Sequence, residues 1–441
     1  MNSLQQLLKG DFVCRACGRT HRVTLRDCVV AADAFERLTE VVAKHAAGRR
    51  LTLVADTRTW RVAGNTAAEA VRQAGYTVGH IILPDAGQGR WPVCDDVTHR
   101  WLLASAPVTD LFLAVGSGVV NDLTKWTAYE RETPYVVLAT AASMNGYASD
   151  NVAPTIRGLK CLFPAAGPVA IVTSPALLQS APTMLTTAGL GDVIAKPVSA
   201  ADWRLNQLLF GDYFCAHCVE LVREVEPLYM ARPEALAEKN RAALEGLFEA
   251  LVLSGLAMSM AGTSSPASGG EHLISHTLDM MATLDGTPHD LHGRQVGVGT
   301  ILAAALYEQV LNLDTQLFPG ATLGFEGAFW GFLQPEIEKQ FARKQARLQQ
   351  ALQALRRRRQ LWETVCQELK PMLRTPEEVK ECLRRAGAAD TLQDIGVSRE
   401  RFLQALLHAR DIRDRFTILD LAWITGVLPA RAEALVDRWL C

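Results

Sequence analysis

The sequence lacks the features that would take a protein to nucleic acid or into a membrane. Its 441 residues carry 45 Lys and Arg against 47 Asp and Glu, so the net charge of −2 leaves no basic excess for a phosphate backbone. No apolar run reaches the roughly 20 residues of a membrane span, and the first residues lack a signal-peptide layout. These absences predict a cytoplasmic protein with no nucleic-acid partner and no membrane span.

A disulfide framework is also missing, because the ten cysteines are scattered through a long chain. Four residues that can bind zinc nevertheless lie close together: Cys14, Cys17, His21 and Cys28. The Cys-x2-Cys spacing is half of a zinc ribbon. The remaining spacing is irregular, and the flanking V-T-L and V-V segments resemble short strands. A β-hairpin with reduced thiols is therefore the favoured interpretation, and a structural zinc site stays open as the alternative.

The chain is long enough for two domains, and its 49% hydrophobic and 21% charged content is typical of globular proteins. Apolar strands alternate with helices from residue 33 to about 175, which predicts a parallel sheet covered on both faces. Only helical periodicity follows. The prediction is an α/β nucleotide-binding domain over residues 1–180 and an all-α metal and substrate domain over 181–441. The predicted strands are Leu51–Asp56, Val78–Leu83, Leu111–Val115, Tyr135–Ala139 and Pro168–Val172.

A glycine-rich turn, Gly116–Asp122 (G-S-G-V-V-N-D), follows one of these strands and leads into a helix. Glycines allow backbone amides to approach a pyrophosphate, and the helix dipole favours its charge. Asp56 ends an earlier strand, where an acid can bond ribose hydroxyls and favour NAD over NADP. The pattern predicts a dinucleotide site.

The stretch Thr187–Lys196 (T-A-G-L-G-D-V-I-A-K) is interpreted as the start of a helix that carries Asp192, with Lys196 one turn later. His272 and His276 share a face of another predicted helix, for which Ser268 is a possible N-cap. His292 follows after a turn. One carboxylate and two imidazoles from distant parts of a chain are typical of a catalytic divalent-metal site with an open position.

Together these segments resemble glycerol-1-phosphate dehydrogenases, in the superfamily of iron-containing alcohol dehydrogenases and dehydroquinate synthases. The resemblance runs from about residue 10 to the C-terminus. It rests on G-S-G-V-V-N-D-L-T-K, T-A-A-S-M-N-G-Y-A-S, G-L-G-D-V-I-A-K, S-G-G-E-H-L-I-S-H and L-H-G-R-Q-V-G-V-G-T, with D-I-R-D-R-F-T-I-L-D-L-A-W also fitting.

The resemblance implies a dehydroquinate synthase-like fold with Asp192, His272 and His292 as metal ligands. Iron-type relatives have a further His where this chain has Lys196, so Zn2+ fits better than Fe2+, with Ni2+ another candidate. Asn145 stands where the family often has Asp, and Arg294 where it often has Glu. Arg294 is expected to point to solvent, with an anion contact as the alternative. The cofactor, NAD(H) or NADP(H), is expected to contact Gly116, Ser117, Gly118, Asp122, Thr140 and Ser143.

The implied activity is that of an NAD(P)-dependent sn-glycerol-1-phosphate dehydrogenase of phospholipid metabolism, which reversibly reduces dihydroxyacetone phosphate or a related phosphorylated ketose. Lys196 and the amides of residues 268–270 are candidates for the substrate phosphate, Asn145 and His276 for substrate contacts, and His276 or His289 for proton relay. The alternatives are a dehydroquinate synthase-type cyclase and a non-catalytic nucleotide-binding homologue. The long helical part suggests a homo-oligomer.

Overall fold

The chain divides into two compact units. The computed structural model describes residues 3–87, 91–313, 324–357 and 359–441. The first unit comprises residues 1–189 and 220–263, and the second comprises residues 190–219 and 264–441. The sequence predicts one division near residue 180, whereas the structure returns residues 220–263 to the first unit.

The first unit is built on a six-stranded parallel sheet with the order β3-β12-β7-β6-β4-β5. Its central strands are rich in Val, Leu and Ala and are buried throughout, as expected for a sheet covered on both faces. The predicted parallel sheet is therefore present. The strands are β1 (Phe12–Val13), β2 (Thr20–His21), β3 (Asp27–Val30), β4 (Arg50–Asp56), β5 (Thr77–Leu83), β6 (Leu111–Gly116), β7 (Tyr135–Ala139), β8 (Asn151–Val152), β9 (Thr155–Ile156), β10 (Leu159–Lys160), β11 (Phe163–Pro164) and β12 (Ala170–Thr173).

The order of the strands creates a topological switch point between β4 and β6. The chain leaves β4 toward β5 on one side, and leaves β6 toward β7 on the other. Open parallel sheets bind ligands outside the carboxyl ends of such strands. Ala55 pairs with Val115, so Asp56 and Gly116 lie next to each other at this edge.

Helices α2 and α4 pack on one face of this sheet. On one face, Leu38 and Val42 pack with Ala67 and Val71 over the odd-numbered residues of β4 and β6. The helices are α1 (Ser3–Leu7), α2 (Ala34–His45), α3 (Thr57–Thr59), α4 (Asn65–Gln73), α5 (Asp96–Ser105), α6 (Gly118–Glu130), α7 (Pro175–Ser180), α8 (Thr183–Ile194), α9 (Lys196–Phe210), α10 (Ala216–Glu224), α11 (Pro227–Met230), α12 (Glu234–Ala237) and α13 (Arg241–Ala261).

Helix α13 explains why residues 220–263 belong to the first unit. A Cβ atom at Gly255 would lie 2.6 Å from the Asn145 carbonyl oxygen and 3.1 Å from the Ala148 nitrogen, so the glycine lets the helix approach this loop. By length and composition α13 could cross a membrane, which corrects the expectation that no segment reaches that length. However, 83% of its most apolar window is buried inside the protein, as in a core helix.

The N-terminal hairpin is formed by residues other than those predicted. Its strands are β1 and β2, whereas V-T-L (residues 23–25) is not a strand. Val29 and Val30 belong to β3, which pairs with β12 at the edge of the central sheet. Cys28 therefore lies in the central sheet and not in the hairpin.

The second unit is helical, as predicted, and contains no strand among its described residues. Helix α14 follows a left-handed turn at Gly262 and ends at another, at Gly286. Pro335 lies in the first turn of a long helix, where its missing N–H costs nothing. The remaining helices are α14 (Gly270–Asp285), α15 (His292–Leu311), α16 (Gln334–Arg357), α17 (Arg359–Leu369), α18 (Pro376–Arg385), α19 (Arg399–His408), α20 (Ile418–Ile424) and α21 (Ala432–Trp439).

The segment Thr187–Lys196 does not open a helix, contrary to the prediction. Helix α8 begins at Thr183 and ends at Ile194, so Asp192 lies near its C-terminal end, and α9 begins at Lys196. The two glycines of this segment, Gly189 and Gly191, lie inside α8. A Cβ atom at Gly189 would lie 2.1 Å from the Ala142 carbonyl oxygen, so this position allows close backbone packing.

Candidate active site

Three helices bring together one carboxylate and two imidazoles, and all three residues lie in the second unit. Asp192 comes from α8, His272 from the first turn of α14, and His292 from the start of α15. One ligand atom from each residue lies within 4.8 Å of the other two, and His272 Nε2 is 3.4 Å from Asp192 Oδ1. Asp192 and His272 are buried, and His292 is half-buried. The three side chains are close enough to share one ion.

Two glycines let the three helices approach closely enough for this convergence. A Cβ atom at Gly191 would lie 2.0 Å from the carbonyl oxygen of Gly293, in the first turn of α15. A Cβ atom at Gly299 would lie 2.9 Å from the carbonyl oxygen of Glu271. Since no side chain fits at either point, α8 and α14 can both approach α15 closely. The close approach at Gly191 sets Asp192 beside His292.

The far ring nitrogen of each imidazole is held by a neighbouring side chain. His272 Nδ1 is 2.7 Å from Glu271 Oε1, and because a carboxylate only accepts, Nδ1 donates and Nε2 faces Asp192. His292 Nδ1 is 3.1 Å from Ser275 Oγ. Gln295 reaches Ser275 Oγ (2.8 Å) and Asp279 Oδ1 (3.1 Å) through its amide nitrogen. Such outer partners orient the ligands of metal sites.

The charges around Asp192 favour its ionised form. Burial alone would raise the pKa of Asp192, but Lys196, His272 and His292 hold it below its ordinary value. Lys196 Nζ is 3.4 Å from Asp192 Oδ1 and donates to the Ala267 carbonyl at 2.9 Å. Burial lowers the pKa of Lys196, and Asp192 opposes that change. For His272, burial lowers the pKa, but the bonds to Asp192 and Glu271 prevail and raise it.

The amides expected to bind a substrate phosphate are already used. Gly269 is the N-cap of α14, in place of the predicted Ser268. The Gly269 amide donates to Glu271 Oε1 at 2.8 Å, and the Gly270 amide donates to Asp202 Oδ2 at 2.7 Å. Because both donors are satisfied by buried carboxylates, the prediction that they bind phosphate is wrong. Lys196 is 3% exposed, and its phosphate role stays a prediction.

The two candidates for proton relay have different surroundings. His276 lies one turn after His272, and its ring stacks on that of His292 with centroids 5.3 Å apart. His289 is exposed, and its Nδ1 lies 3.2 Å from Asp279 Oδ1. His276 is therefore the candidate placed against the ligand cluster.

Arg294 does not point to solvent, which corrects the expectation. Its Nε donates to Asp290 Oδ2 at 2.7 Å, and its Nη2 donates to the Asp394 carbonyl. Only 17% of its side chain is exposed. Both contacts are within the second unit and leave Arg294 with a structural function.

In the first unit, the glycine-rich turn lies at the switch point of the sheet. Gly116 ends β6 and Gly118 begins α6, so the N-terminus of a 13-residue helix follows the turn. A Cβ atom at Gly116 would lie 2.6 Å from the Val120 side chain. The Thr140 amide donates to the Gly116 carbonyl at 3.1 Å, which joins the ends of β6 and β7. This arrangement fits the pyrophosphate of a dinucleotide.

Asp56 has a local function in addition to the one predicted for it. Its Oδ1 accepts from the Arg58 amide at 2.7 Å and from the Thr59 amide at 2.9 Å, which caps α3. Ribose binding by Asp56 stays a prediction. Ser117 is the N-cap residue of α6 but makes no side-chain capping bond.

The remaining candidates lie on α6 and in the loop after β7. Burial raises the pKa of Asp122, with Lys125 opposing, since Lys125 Nζ is 3.6 Å from Asp122 Oδ1. Thr140 and Ser143 are both buried, and Asn145 is half-buried. These residues lie in one unit with the glycine-rich turn.

Sequence reasoning missed three residues that position candidate residues, one in the first unit and two in the second. Lys125 is fully buried, and its Nζ donates to Gly146 O (2.7 Å), Ser149 Oγ (3.1 Å) and Asn151 O (3.0 Å), so it secures the loop after β7. Glu271 and Ser275 orient the two imidazoles. A signal existed for each, since Lys125 lies in D-L-T-K and the other two lie within E-H-L-I-S-H.

Comparison with known proteins defines the class. The family described as iron-containing alcohol dehydrogenase matches residues 29–182. Glycerol dehydrogenase from Schizosaccharomyces pombe shares the fold, with a TM-score of 0.62, 17% identity, and coverage of 94% of this chain and 91% of that one. NADH-dependent butanol dehydrogenase A from Thermotoga maritima has a TM-score of 0.60 and 14% identity, with coverage of 97% and 99%. The fold is that of iron-containing alcohol dehydrogenase-type proteins.

Two relatives narrow this class. Glycerol-1-phosphate dehydrogenase [NAD(P)+] from Halalkalibacterium halodurans is 33% identical over 307 residues, which cover 69% of this chain and 76% of that protein. The enzyme of the same name from Bacillus licheniformis is 28% identical over 431 residues, covering 97% and 96%. The chain belongs to the glycerol-1-phosphate dehydrogenase family, which confirms the resemblance and the fold class predicted from the sequence.

Proposed function

We propose that this protein reversibly reduces dihydroxyacetone phosphate to sn-glycerol 1-phosphate with NAD(P)H, using a divalent metal held by Asp192, His272 and His292. The observation that carries the proposal is the convergence of these three residues from three helices. It is supported by the relatives, whose printed name is glycerol-1-phosphate dehydrogenase [NAD(P)+].

The donor set fits a catalytic ion. Two imidazoles and a carboxylate with a further position open are the ligands of many catalytic zinc sites, so Zn2+ is the metal we propose. A bound divalent ion would supply a Lewis acid for the substrate carbonyl. Lys196 takes the place of a fourth protein ligand and steadies Asp192 through its 3.4 Å contact.

Side chains and backbone of the protein orient the metal ligands, donate the proton and bind the cofactor. Glu271 and Ser275 hold the far nitrogens of His272 and His292, so both ligating nitrogens keep their direction. His276, stacked on His292, is the proposed donor of the proton that the new hydroxyl group needs after hydride arrives. The first unit binds the cofactor pyrophosphate at Gly116, Ser117 and Gly118.

The test is oxidation of NADH and NADPH in the presence of dihydroxyacetone phosphate, with the metal content of each preparation. Asp192→Ala and His272→Ala should lose the ion, and turnover should fall by about a thousandfold, the several kcal/mol that a metal contributes. His80→Ala is the matched control, because His80 is exposed on β5 of the first unit.

Full turnover and full metal content in either ligand variant would overturn the metal assignment. Absence of net NAD(P)H oxidation with any phosphorylated ketose would overturn the reaction. A cyclase of the dehydroquinate synthase type would be revealed by turnover without net change in NADH absorbance, and a non-catalytic homologue by nucleotide binding without turnover.

A further inference from the structure

A second group of metal-binding side chains lies in the N-terminal hairpin of the first unit. The cysteine hairpin (residues 12–21) pairs Phe12 with His21 and Val13 with Thr20. Its turn is closed by two backbone bonds, from the Cys14 amide to the Arg19 carbonyl (2.9 Å) and from the Gly18 amide to the Cys14 carbonyl (2.8 Å). Gly18 has a φ of +71°, which allows this tight turn. The turn brings both thiols back to the imidazole.

The three potential ligands are close together, and two of them are buried. Cys14 Sγ, Cys17 Sγ and one ring nitrogen of His21 lie within 4.8 Å of one another. The Cys17 sulfur is 3.6 Å from His21 Nε2. In tetrahedral zinc sites, Zn–S and Zn–N bonds of about 2.3 and 2.0–2.1 Å separate sulfur and nitrogen by about 3.6 Å. Cys14 is 2% exposed and His21 is fully buried.

The imidazole is held in the orientation that a ligand needs. His21 Nδ1 is 2.6 Å from the Met260 carbonyl oxygen, near the end of α13. A carbonyl oxygen only accepts, so Nδ1 carries the proton, and in the neutral ring the lone pair is then on Nε2. A backbone carbonyl that holds the far nitrogen is a common feature of histidine ligands.

We infer that Cys14, Cys17 and His21 bind a structural Zn2+ ion, separate from the catalytic ion proposed for the second unit. Cys28 is not part of the site, because it lies on β3 and burial raises its pKa to about 12, with Glu249 and Asp27 contributing. Arg15 and Arg19 lie exposed in the same hairpin.

The ion would fix the turn of the hairpin, and the His21 hydrogen bond to the Met260 carbonyl would then hold the hairpin on the first unit. The hairpin is short, with two residues in each strand, and two-stranded hairpins have little stability alone. His21 connects it to α13, the helix that packs against the loop of Asn145. The zinc site therefore stabilises the fold and takes no part in hydride transfer.

The experiment is to produce the full-length protein with Co2+ in place of zinc and record its absorption spectrum. Thiolate ligands give a sulfur-to-cobalt charge-transfer band, which an Asp and two His cannot produce. The wild-type protein should show this band and bind two ions per chain. Cys14→Ser and Cys17→Ser should lose the band and one ion, while Asp192→Ala should lose only the other ion.

Cys28→Ser and Cys161→Ser, thiols of the first unit outside the hairpin, should keep the band. Structural zinc is four-coordinate, so Ser variants of the other cysteines, including the second Cys-x2-Cys pair of the sequence at residues 215 and 218, identify the fourth donor. Absence of the band in wild-type protein, or a Cys14–Cys17 disulfide found by mass spectrometry after alkylation, would overturn the inference. The spectrum of wild-type protein keeps the test valid even if a hairpin variant does not fold.

Discussion

The two ligand clusters differ in how far apart their residues lie in the chain. Cys14, Cys17 and His21 come from a single hairpin, whereas Asp192 and His292 are separated by 100 residues and come from different helices. The far nitrogen of His21 meets a neutral carbonyl, and that of His272 meets a carboxylate. The ion proposed for the hairpin needs only a local turn, whereas the ion proposed for the second unit depends on tertiary packing and on charge behind its ligands.

Gly191→Ala should have the largest effect. It should disrupt the Asp192, His272 and His292 cluster, which depends on helix packing, and leave the cysteine hairpin unchanged. The new methyl group would overlap the Gly293 carbonyl, so α8 and α15 must separate. We expect a loss of about 1–3 kcal/mol in unfolding free energy. The catalytic ion and about a thousandfold of turnover should be lost as well.

Gly79→Ala is the control for that change, because its Cβ atom would have no neighbour closer than 3.9 Å. Metal analysis and the cobalt spectrum together measure the outcome. An alanine at position 191 that keeps the ion would show that close packing of the helices is not required.

Glu271→Gln tests whether the charge of the carboxylate behind His272 matters, since His21 has only a neutral carbonyl behind it. Glutamine can still accept from His272 Nδ1, so the variant removes the charge but not the hydrogen bond. Metal affinity of the second unit should fall by about 10–100-fold, as for other outer partners of metal ligands. Competition with a chromogenic chelator measures it, and an unchanged affinity would rule out a contribution of the charge.

Asp56→Asn tests a carboxylate of the first unit in the same way. Asparagine keeps an oxygen that can cap α3, so the fold should be retained. If Asp56 repels a 2′-phosphate, the NADH-to-NADPH ratio of kcat/KM should fall by about tenfold, the effect of one charge contact of about 1.4 kcal/mol. A strong preference of the wild-type enzyme for NADPH would contradict this function of Asp56.

Asp202→Asn differs from the other variants, because its effect appears as a change in the pH dependence of stability. Burial and the nearby Glu271 raise the pKa of Asp202 from 3.8 to about 8. Between these values the folded protein keeps a proton that the unfolded chain releases, so this residue makes stability fall as the pH rises from about 4 to about 8. The slope is at most about 1.4 kcal/mol per pH unit.

Urea unfolding of both proteins at a series of pH values measures the difference. The Asn variant should lack this part of the slope while Tyr307, which donates to Asp202 Oδ1 at 2.6 Å, keeps an acceptor. Parallel pH profiles for the two proteins would contradict the raised pKa.

Hydrophobic patterning is enough to predict the sheet. The motifs are enough to predict that Asp192, His272 and His292 share one metal ion. The strand predicted over Tyr135–Ala139 has those bounds in the structure. The sequence predicts the start of α8 at the wrong place, because glycine usually indicates a helix end. In the structure, Gly189 and Gly191 lie inside α8 and allow close packing. Contacts of that kind depend on residues about 50 to 100 positions away in the chain and cannot be read from local pattern.

The same limit applies to the polar partners. The sequence predicts that the amides of Gly269 and Gly270 bind phosphate. It cannot show that the Gly270 amide already donates to Asp202, because Asp202 lies on α9, far away in the chain. The pairing of Arg294 with Asp290 was within reach of sequence reasoning, since the two residues are four apart at the start of α15. Spacing alone groups Cys14 and Cys17 with Cys28, because it cannot show that Cys28 lies on β3, outside the hairpin.

The ammonium group of Lys196 has a consequence for how the enzyme acquires its metal. A buried carboxylate with no counterion would oppose folding, but Asp192 has Lys196 Nζ and His272 Nε2 each at 3.4 Å. The helical unit can therefore fold before the ion proposed for this cluster binds. A chelated sample should remain folded and ready for reconstitution.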